Sequence, residues 1–288
     1  MKYSFMTFSC PELTLDEVLA TARRFGYDAI EPRISRSIEP SIGGKRGDGV
    51  ETRMPGQHAH GIETSLTAAE RDRVRQKVAA SGIALSCLAT SHTLADPAKA
   101  AREVEGTIAS VRLAADVGAP AVRVFGGLMP PGVSREQAGD ILAASLRAIA
   151  KEIAGLGVTV CLETHDDWSD PAHVVEVVQR VNHPAIAVNW DIMHPVLRAH
   201  KTVQEAFDAL RPWIQHVHFH DGVSAGDGKV VFVPIGAGEV DHRTAMRLLQ
   251  QARYAGYLSG EWIGWEPAAT HLPRELATMK QYEKGHKS

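Results

Sequence analysis

The sequence contains few cysteines and no long hydrophobic segment. Its three cysteines, Cys10, Cys87 and Cys161, are an odd number and lack the close spacing of a disulfide framework or a thiolate zinc cluster. A membrane-spanning helix requires about 18 consecutive apolar residues, and no such run occurs. We therefore expect no membrane association and a reducing, cytoplasmic environment.

The sequence also lacks an excess of charge of one sign. It has 31 Lys and Arg residues against 34 Asp and Glu residues, a formal net charge of -3. A protein that holds nucleic acid by neutralising phosphates carries a clear positive excess, so nucleic acid is not an expected partner. Hydrophobic residues make up 44% and charged residues 23% of the chain, which is typical of a globular protein with a packed core.

Two phosphate-binding motifs are missing as well. The chain contains neither GxGxxG nor a P-loop, and the first predicted strand runs directly into Ser9, Cys10 and Pro11. An open, doubly wound parallel sheet usually carries a Gly-rich turn at that place, so this architecture is kept only as the alternative.

Helix-start signals recur along the chain and separate short apolar runs rich in β-branched residues. Four capping boxes begin at Thr14, Thr67, Ser134 and Thr202, and further helix starts are predicted at Asp96, Asp170 and Asp241. The apolar runs have the length of buried strands and cover residues 3–8, 29–31, 84–89, 121–125, 158–163, 185–191, 214–218 and 257–262. Eight alternating strands and helices predict the α/β class and a single (β/α)8 TIM barrel over residues 1–288.

One segment is too long for an ordinary connection of such a barrel. Residues 35–63, after the second predicted strand, are rich in glycine and carry mixed charges. Loops of this length are often binding loops or lids, and a barrel would place this one above the mouth of its active site. A surface insertion without such a role is the alternative interpretation.

Ionisable residues occupy the predicted carboxyl ends of four consecutive strands. They are Glu163, Asp191, His218 and Glu261, and in a barrel the carboxyl ends of the strands meet around one mouth. Three buried carboxylates beside one imidazole are unfavourable unless a cation compensates them. These residues therefore predict a site for one divalent metal ion, with Mn²⁺, Mg²⁺, Co²⁺ or Zn²⁺ suited to such ligands.

Other polar residues near the predicted mouth are candidates for binding substrate. Glu31 and Arg33 end the second strand, and Arg33 could bind a phosphate, a carboxylate or a sugar hydroxyl, or form a surface ion pair. His165 and His220 follow the fifth and seventh strands, with packing or loop capping as the alternative role. His216, His218 and His220 alternate with apolar residues, so all three imidazoles should face the barrel interior, His216 one layer deeper.

The sequence resembles the xylose isomerase-like TIM barrels, which include sugar and sugar-phosphate isomerases and epimerases, hydroxypyruvate isomerase, inosose dehydratases and endonuclease IV. The resemblance extends over nearly the whole chain. Its most specific pieces are Leu162-Glu163-Thr-His165, Asn189-Trp-Asp191-Ile-Met-His194-Pro195, His216-Val-His218-Phe-His-Asp221, Gly236-Ala-Gly238-Glu-Val-Asp241 and Gly260-Glu261-Trp.

The resemblance implies a function for several of these residues. It places the metal ligands on the same four residues, makes Glu163 and Glu261 the general acid and base, and brings His194 to the substrate. The implied reaction is isomerisation or epimerisation of a keto-sugar, sugar phosphate or related polyol through a metal-stabilised enediolate. A dehydratase of the inosose or dehydroshikimate type is the alternative. Homo-oligomers are common in the resembled family.

Two further functions of the resembled family fit the chain less well. The endonuclease branch uses an Asp-x-His pair after the seventh strand, and the corresponding residues 227–232 contain no histidine. A noncatalytic partner subunit would not need both Glu163 and Glu261. We therefore expect a small-molecule sugar or polyol as the partner of this protein.

Overall fold

The computed structural model describes residues 1–34, 43–45, 51–53, 58–226 and 229–285. Within these residues, parallel strands build one sheet of nine hydrogen-bonded segments. The third strand has two of these segments, because its pairing is interrupted at Ser86 and Cys87. The eight strands are Lys2–Met6, Ala29–Glu31, Ala84–Leu85 with Leu88–Thr93, Ala121–Phe125, Thr159–Glu163, Ile186–Asp191, Ile214–His218 and Tyr257–Gly260.

The sheet closes on itself and forms the predicted barrel. The first strand pairs with both the second and the eighth, through Phe5 opposite Ile30 and opposite Gly260. The two segments of the third strand lie at opposite ends of the sheet order, and a bridge between Arg33 and Ala89 extends the pairing with the second strand. The (β/α)8 architecture is therefore confirmed.

Helices follow the strands and cover the outside of the barrel. Among the described residues they are α1 Leu15–Phe25, α2 Ala68–Ser81, α3 Ala100–Val117, α4 Arg135–Glu152, α5 Pro171–Val181, α6 Met193–Ala199, α7 Val203–Leu210, α8 His242–Gln251 and α9 Ala268–Lys284. In the part of the chain that the structure describes, no helix combines the length and apolar character needed to cross a membrane.

The capping residues explain where most of these helices begin. All four predicted capping boxes form, and Asp170 and Asp241 accept hydrogen bonds from the first turns of α5 and α8. The predicted start at Asp96 was wrong, because its carboxylate instead accepts from the Ala98 amide in a turn and α3 begins at Ala100.

The two ends of the barrel interior differ in side-chain size and charge. Four small buried residues, Cys87, Ala121, Cys161 and Ala187, pack together inside the barrel. A cavity of about 900 Å³ opens at the amino ends of the strands, where its lining includes Lys2, Ala121 and Tyr257. The buried acidic residues that end strands, Glu31, Glu163 and Asp191, instead lie at the carboxyl end, opposite this cavity.

Of the predicted insertion at residues 35–63, the structure describes one antiparallel strand pair, Gly43–Lys45 with Glu51–Arg53, and residues 58–63. The remaining positions lie outside the described residues. A role for this segment as a lid therefore stays a prediction.

Candidate metal centre

Four side chains converge where the fifth to eighth strands end. Glu163, Asp191 and His218 are the last residues of their strands, and Glu261 follows Gly260 directly. Each offers one ligand atom, and these atoms all lie within 4.8 Å of one another. The first three residues are fully buried and Glu261 is 6% exposed. We call these four residues the ligand cluster.

The imidazole of His218 lies at the centre of the ligand cluster. Its Nδ1 is 2.9 Å from Glu163 Oε1, 3.0 Å from Glu261 Oε2 and 3.9 Å from Asp191 Oδ2. Burial alone would lower the pKa of His218, but the charges of Glu31, Glu163 and Glu261 raise it well above its ordinary value. The imidazole of His218 is therefore protonated in the protein without metal.

The donor set of the ligand cluster fits a divalent ion. Three carboxylates approach one imidazole nitrogen in a buried place, which leaves negative charge that a cation would neutralise. Burial raises the pKa of Glu261, yet His218 and Arg123 lower it to about 2, so this carboxylate stays charged. Oxygen-rich ligands with one nitrogen suit Mn²⁺, Mg²⁺ or Co²⁺ and are compatible with Zn²⁺.

A second group of ionisable residues lies directly beneath the ligand cluster. Glu31 Oε1 is 3.2 Å from Nε2 of His218, and Glu31 Oε2 is 2.9 Å from Nε2 of His216. We call Glu31, His216 and His218 the lower cluster. It places Glu31, which was predicted at the mouth, under His218 with both oxygens bonded. Because Glu31 bonds to Nε2 of His218, Nδ1 is the nitrogen that faces the ligand cluster.

Arg123, in the middle of the fourth strand, belongs to the site although it was not among the predicted site residues. Its guanidinium is fully buried, with Nε 2.9 Å from Glu163 Oε2 and Nη2 3.6 Å from Glu261 Oε1. Nη1 also donates to the carbonyl oxygen of Thr90 at 2.6 Å. The sequence did contain a signal for Arg123, because an arginine interrupts the apolar run AVRVF. A buried arginine is unfavourable unless an acidic partner compensates its charge.

His220 and His194 border Asp191. His220 Nδ1 is 2.8 Å from the Glu261 carbonyl oxygen and Nε2 is 2.7 Å from Asp191 Oδ2. Burial opposes the charged form of His220, but Asp191 raises its pKa, so the ring can donate through both nitrogens. His194 Nε2 is 3.9 Å from the same Asp191 oxygen, and burial lowers the pKa of His194 to about 4.

His165 and Arg33 lie at the sides of the mouth. His165 Nδ1 is 2.9 Å from Asp166 Oδ1, and the imidazole is 4.3 Å from the ring of His194. The Arg33 guanidinium donates to the carbonyl oxygens of Ile34 and Ala89 and to Ser91, and it does not contact the ligand cluster through any of these bonds. The structure thus brings His165, His194 and His220 together.

Fold and site together define a family. The chain belongs to the xylose isomerase-like TIM barrel family, whose model matches residues 19–282. Among curated proteins, it is 27% identical over 158 residues to a 3-dehydroshikimate dehydratase of Bacillus anthracis. The matched segment covers 50% of this chain and 56% of that relative. The chain therefore matches about half the length of this curated relative.

Solved structures show the same fold over the whole chain. A 3-keto-D-glucoside 4-epimerase from E. coli has a TM-score of 0.74 and 15% identity, with 98% of this chain and 99% of the other covered. A xylose isomerase-like TIM barrel protein from Mycobacterium smegmatis in complex with magnesium has a TM-score of 0.70 and 16% identity, covering 98% and 97%. Relatives of this fold thus include epimerases and dehydratases.

Proposed function

We propose that the protein is a divalent-metal-dependent isomerase or epimerase of a keto-sugar, a sugar phosphate or a related polyol. One observation carries the proposal. Glu163 and Glu261 approach the same His218 nitrogen from different strands, at 2.9 and 3.0 Å, with Asp191 completing a convergent acidic set. Such a site combines a place for a cation with two carboxylates that can transfer protons.

The metal would be held by the ligand cluster. Bound there, a divalent ion would supply Lewis acidity that polarises a substrate carbonyl and makes the neighbouring C–H easier to ionise. A protein of the same fold from Mycobacterium smegmatis has been solved in complex with magnesium, which supports a divalent ion as a ligand of this fold.

Glu163 and Glu261 would exchange the proton. One carboxylate removes it from the carbon beside the carbonyl, and the other returns it to the opposite face for epimerisation or to the neighbouring carbon for isomerisation. Arg123 bridges the two glutamates and offsets part of their negative charge, which keeps both carboxylates in place while the substrate is absent.

The remaining polar residues would bind the substrate or position the ligand cluster. His194 is neutral near pH 7 because burial lowers its pKa to about 4, so it can donate one hydrogen bond without adding charge. His220 lies between Asp191 and the backbone of Glu261 and would hold both in position through one hydrogen bond from each ring nitrogen. Glu31 would act on the site through His218, because both of its oxygens face imidazoles.

A dehydratase is the second candidate function. It is favoured by the match over half of the chain to a protein named 3-dehydroshikimate dehydratase. The same proton removal beside a carbonyl leads to dehydration when a hydroxyl group leaves from the next carbon. Loss of water would create an enone, which absorbs ultraviolet light.

Metal analysis and hydrogen exchange test both candidates. The purified protein should contain or take up about one divalent ion per chain, measured by elemental analysis after titration. The loaded protein should exchange a substrate C–H with D₂O, followed by NMR over a panel of ketohexoses, inositol derivatives and hydroxypyruvate. Exchange without an enone supports the isomerase or epimerase, whereas a growing enone absorbance supports the dehydratase. A protein that takes up no ion contradicts both.

A further inference from the structure

Residues 236–241 form a Gly-rich motif that has no part in the ligand cluster. They connect α8 to a hairpin, Asp221–Ser224 with Val230–Val233, that follows the seventh strand. The hairpin begins directly after His220, whose two ring nitrogens contact residues of the ligand cluster. The motif therefore lies close in the chain to a residue that borders the proposed metal site.

A buried carboxylate fastens this motif to the end of the seventh strand. Asp221 is fully buried. Its two oxygens accept hydrogen bonds from four backbone amides, those of Gly222 at 2.9 Å, Gly236 at 2.8 Å, Gly238 at 2.9 Å and Val240 at 3.4 Å. A Cβ atom at Gly238 would collide with Asp221 Oδ1, so only glycine fits at this position. The motif is thus shaped to surround the carboxylate.

His242 connects the fastened motif to His220. It is the first residue of α8 and is 2% exposed. Its Nε2 lies 2.9 Å from the carbonyl oxygen of His220, and its Nδ1 lies 2.9 Å from the carbonyl oxygen of Val240. Because carbonyl oxygens only accept, the two bonds together require hydrogens on both nitrogens. Burial lowers the pKa of His242, but Asp221 Oδ2, 3.6 Å from Nδ1, and the two carbonyl oxygens favour this protonated ring.

The bond from His242 acts where the sheet ends. The seventh strand ends at His218, and the Phe219 amide still donates to the carbonyl oxygen of Ser259 at 2.8 Å. His220 is the next residue, so its carbonyl oxygen lies beyond these sheet bonds. His242 therefore fixes the backbone at the point from which the His220 ring projects.

A shift of the His220 backbone would disturb two residues of the ligand cluster. The His220 ring contacts Asp191 Oδ2 through Nε2 at 2.7 Å and the Glu261 carbonyl oxygen through Nδ1 at 2.8 Å. Hydrogen bonds weaken steeply when their geometry is distorted. Partners that orient metal ligands typically contribute about 10- to 100-fold to metal affinity.

We infer that His242 is a positioning residue of the proposed metal centre. It fixes the backbone of His220, and the ring of His220 in turn holds Asp191 and Glu261. Asp221 places His242 by fastening the residues that precede α8. This inference rests on the proposed function, because it adds a supporting residue to the same site.

Two matched substitutions separate this role from general packing. A glutamine amide nitrogen can replace Nε2 of His242 and keep the bond to the His220 carbonyl oxygen, whereas an asparagine amide nitrogen can replace Nδ1 and keep only the bond to Val240. His242→Gln and His242→Asn both lose the imidazole and its contact with the ring of Phe219. Each variant is therefore the control for the other.

Metal affinity is the first measurement, by competition between the protein and a chelator for Mn²⁺. Affinity should fall about 10- to 100-fold in His242→Asn and stay within about threefold of the unaltered protein in His242→Gln. Circular dichroism verifies the fold. If His242→Asn does not fold, Asp221→Asn, which keeps one acceptor oxygen, takes its place and should lower the affinity in the same direction. Equal affinity of the two His242 variants overturns the inference.

The second measurement needs no metal. The hydrogens on Nδ1 and Nε2 of His220, bonded to Glu261 and Asp191, should give slowly exchanging imidazole resonances in proton NMR spectra. These resonances should persist in His242→Gln and broaden or disappear in His242→Asn. Resonances that survive in both variants, or that are absent from the unaltered protein, overturn the inference. A protein that takes up no ion contradicts the proposed function, whereas the resonances still decide whether His242 holds His220.

Discussion

The ligand cluster and the lower cluster share His218, are equally buried and contain the same kinds of residue, yet they differ in charge balance. The ligand cluster has three carboxylates around one imidazole nitrogen, with Arg123 as its permanent cation. The lower cluster has one carboxylate between two imidazoles. Burial raises the pKa of Glu31, but His216 and His218 lower it well below its ordinary value. An excess of carboxylate, rather than acidic residues and burial alone, distinguishes the proposed metal site.

The largest expected effect follows from removing a carboxylate of the ligand cluster. Glu163→Gln should reduce C–H exchange by on the order of 10²- to 10⁴-fold, because the amide cannot accept the proton. NMR in D₂O measures this rate, and circular dichroism verifies the fold. Glu152→Gln, at an exposed position of α4, is the matched control and should leave the rate unchanged. Undiminished exchange in Glu163→Gln would refute its role as a base.

Changing the carboxylate of the lower cluster should instead affect the metal. Glu31→Gln weakens the hydrogen bond that orients His218, and the loss of such a partner typically costs about 10- to 100-fold in metal affinity. Competition with a chelator measures the affinity. At saturating metal, C–H exchange should recover most of its rate. An unchanged affinity would show that Glu31 does not act through His218.

Acidity should tune the metal affinity through the shared imidazole. Without metal, His218 has a pKa raised well above 6.5, so it is protonated at neutral pH and must release that proton when Nδ1 binds an ion. Affinity should therefore rise with pH, by roughly tenfold per unit while His218 is the proton released. Calorimetry in buffers of different ionisation enthalpy counts the protons. Affinity that is flat from pH 6 to 8 would contradict this assignment.

The smallest effect on metal affinity is expected for a change of His216. Its Nε2 bonds to Glu31, which is not one of the four residues of the ligand cluster. His216→Gln should lower the free energy of unfolding by about 1–3 kcal/mol, since it disturbs a buried charged hydrogen bond. Denaturant titration measures this loss. Metal affinity should stay within about threefold. A loss of affinity as large as that of Glu31→Gln would mean that the two clusters are not separable.

Local patterns explain why much of the fold could be predicted. The capping boxes at Thr14, Thr67, Ser134 and Thr202 are short-range signals, and the structure forms all of them. The proposed ligands were identifiable because each lies at or directly after the end of a strand in four consecutive strand–helix units, where a barrel brings strand ends together. The spacing of residues along the chain and their position at strand ends were therefore sufficient to predict the helix starts and the proposed ligands.

Contacts between distant strands could not be predicted in this way. Arg123 resembles a chance interruption of an apolar run until the barrel places it between Glu163 and Glu261, 40 and 138 positions further along the chain. Likewise, the position of Glu31 beneath His218 depends on how the second and seventh strands meet across the barrel interior. The charge balance of the site is therefore a property of barrel closure.

The burial of the thiols gives the protein an internal reporter of opening. Cys10, Cys87 and Cys161 are all fully buried, and burial raises the pKa of Cys10 to about 12. Cys87 and Cys161 lie inside the barrel among the small residues that pack with them. Since thiolates are the reactive form, alkylating reagents should modify each cysteine only when the structure around it opens. The rate of labelling at each cysteine would thus measure how often the structure around that cysteine opens.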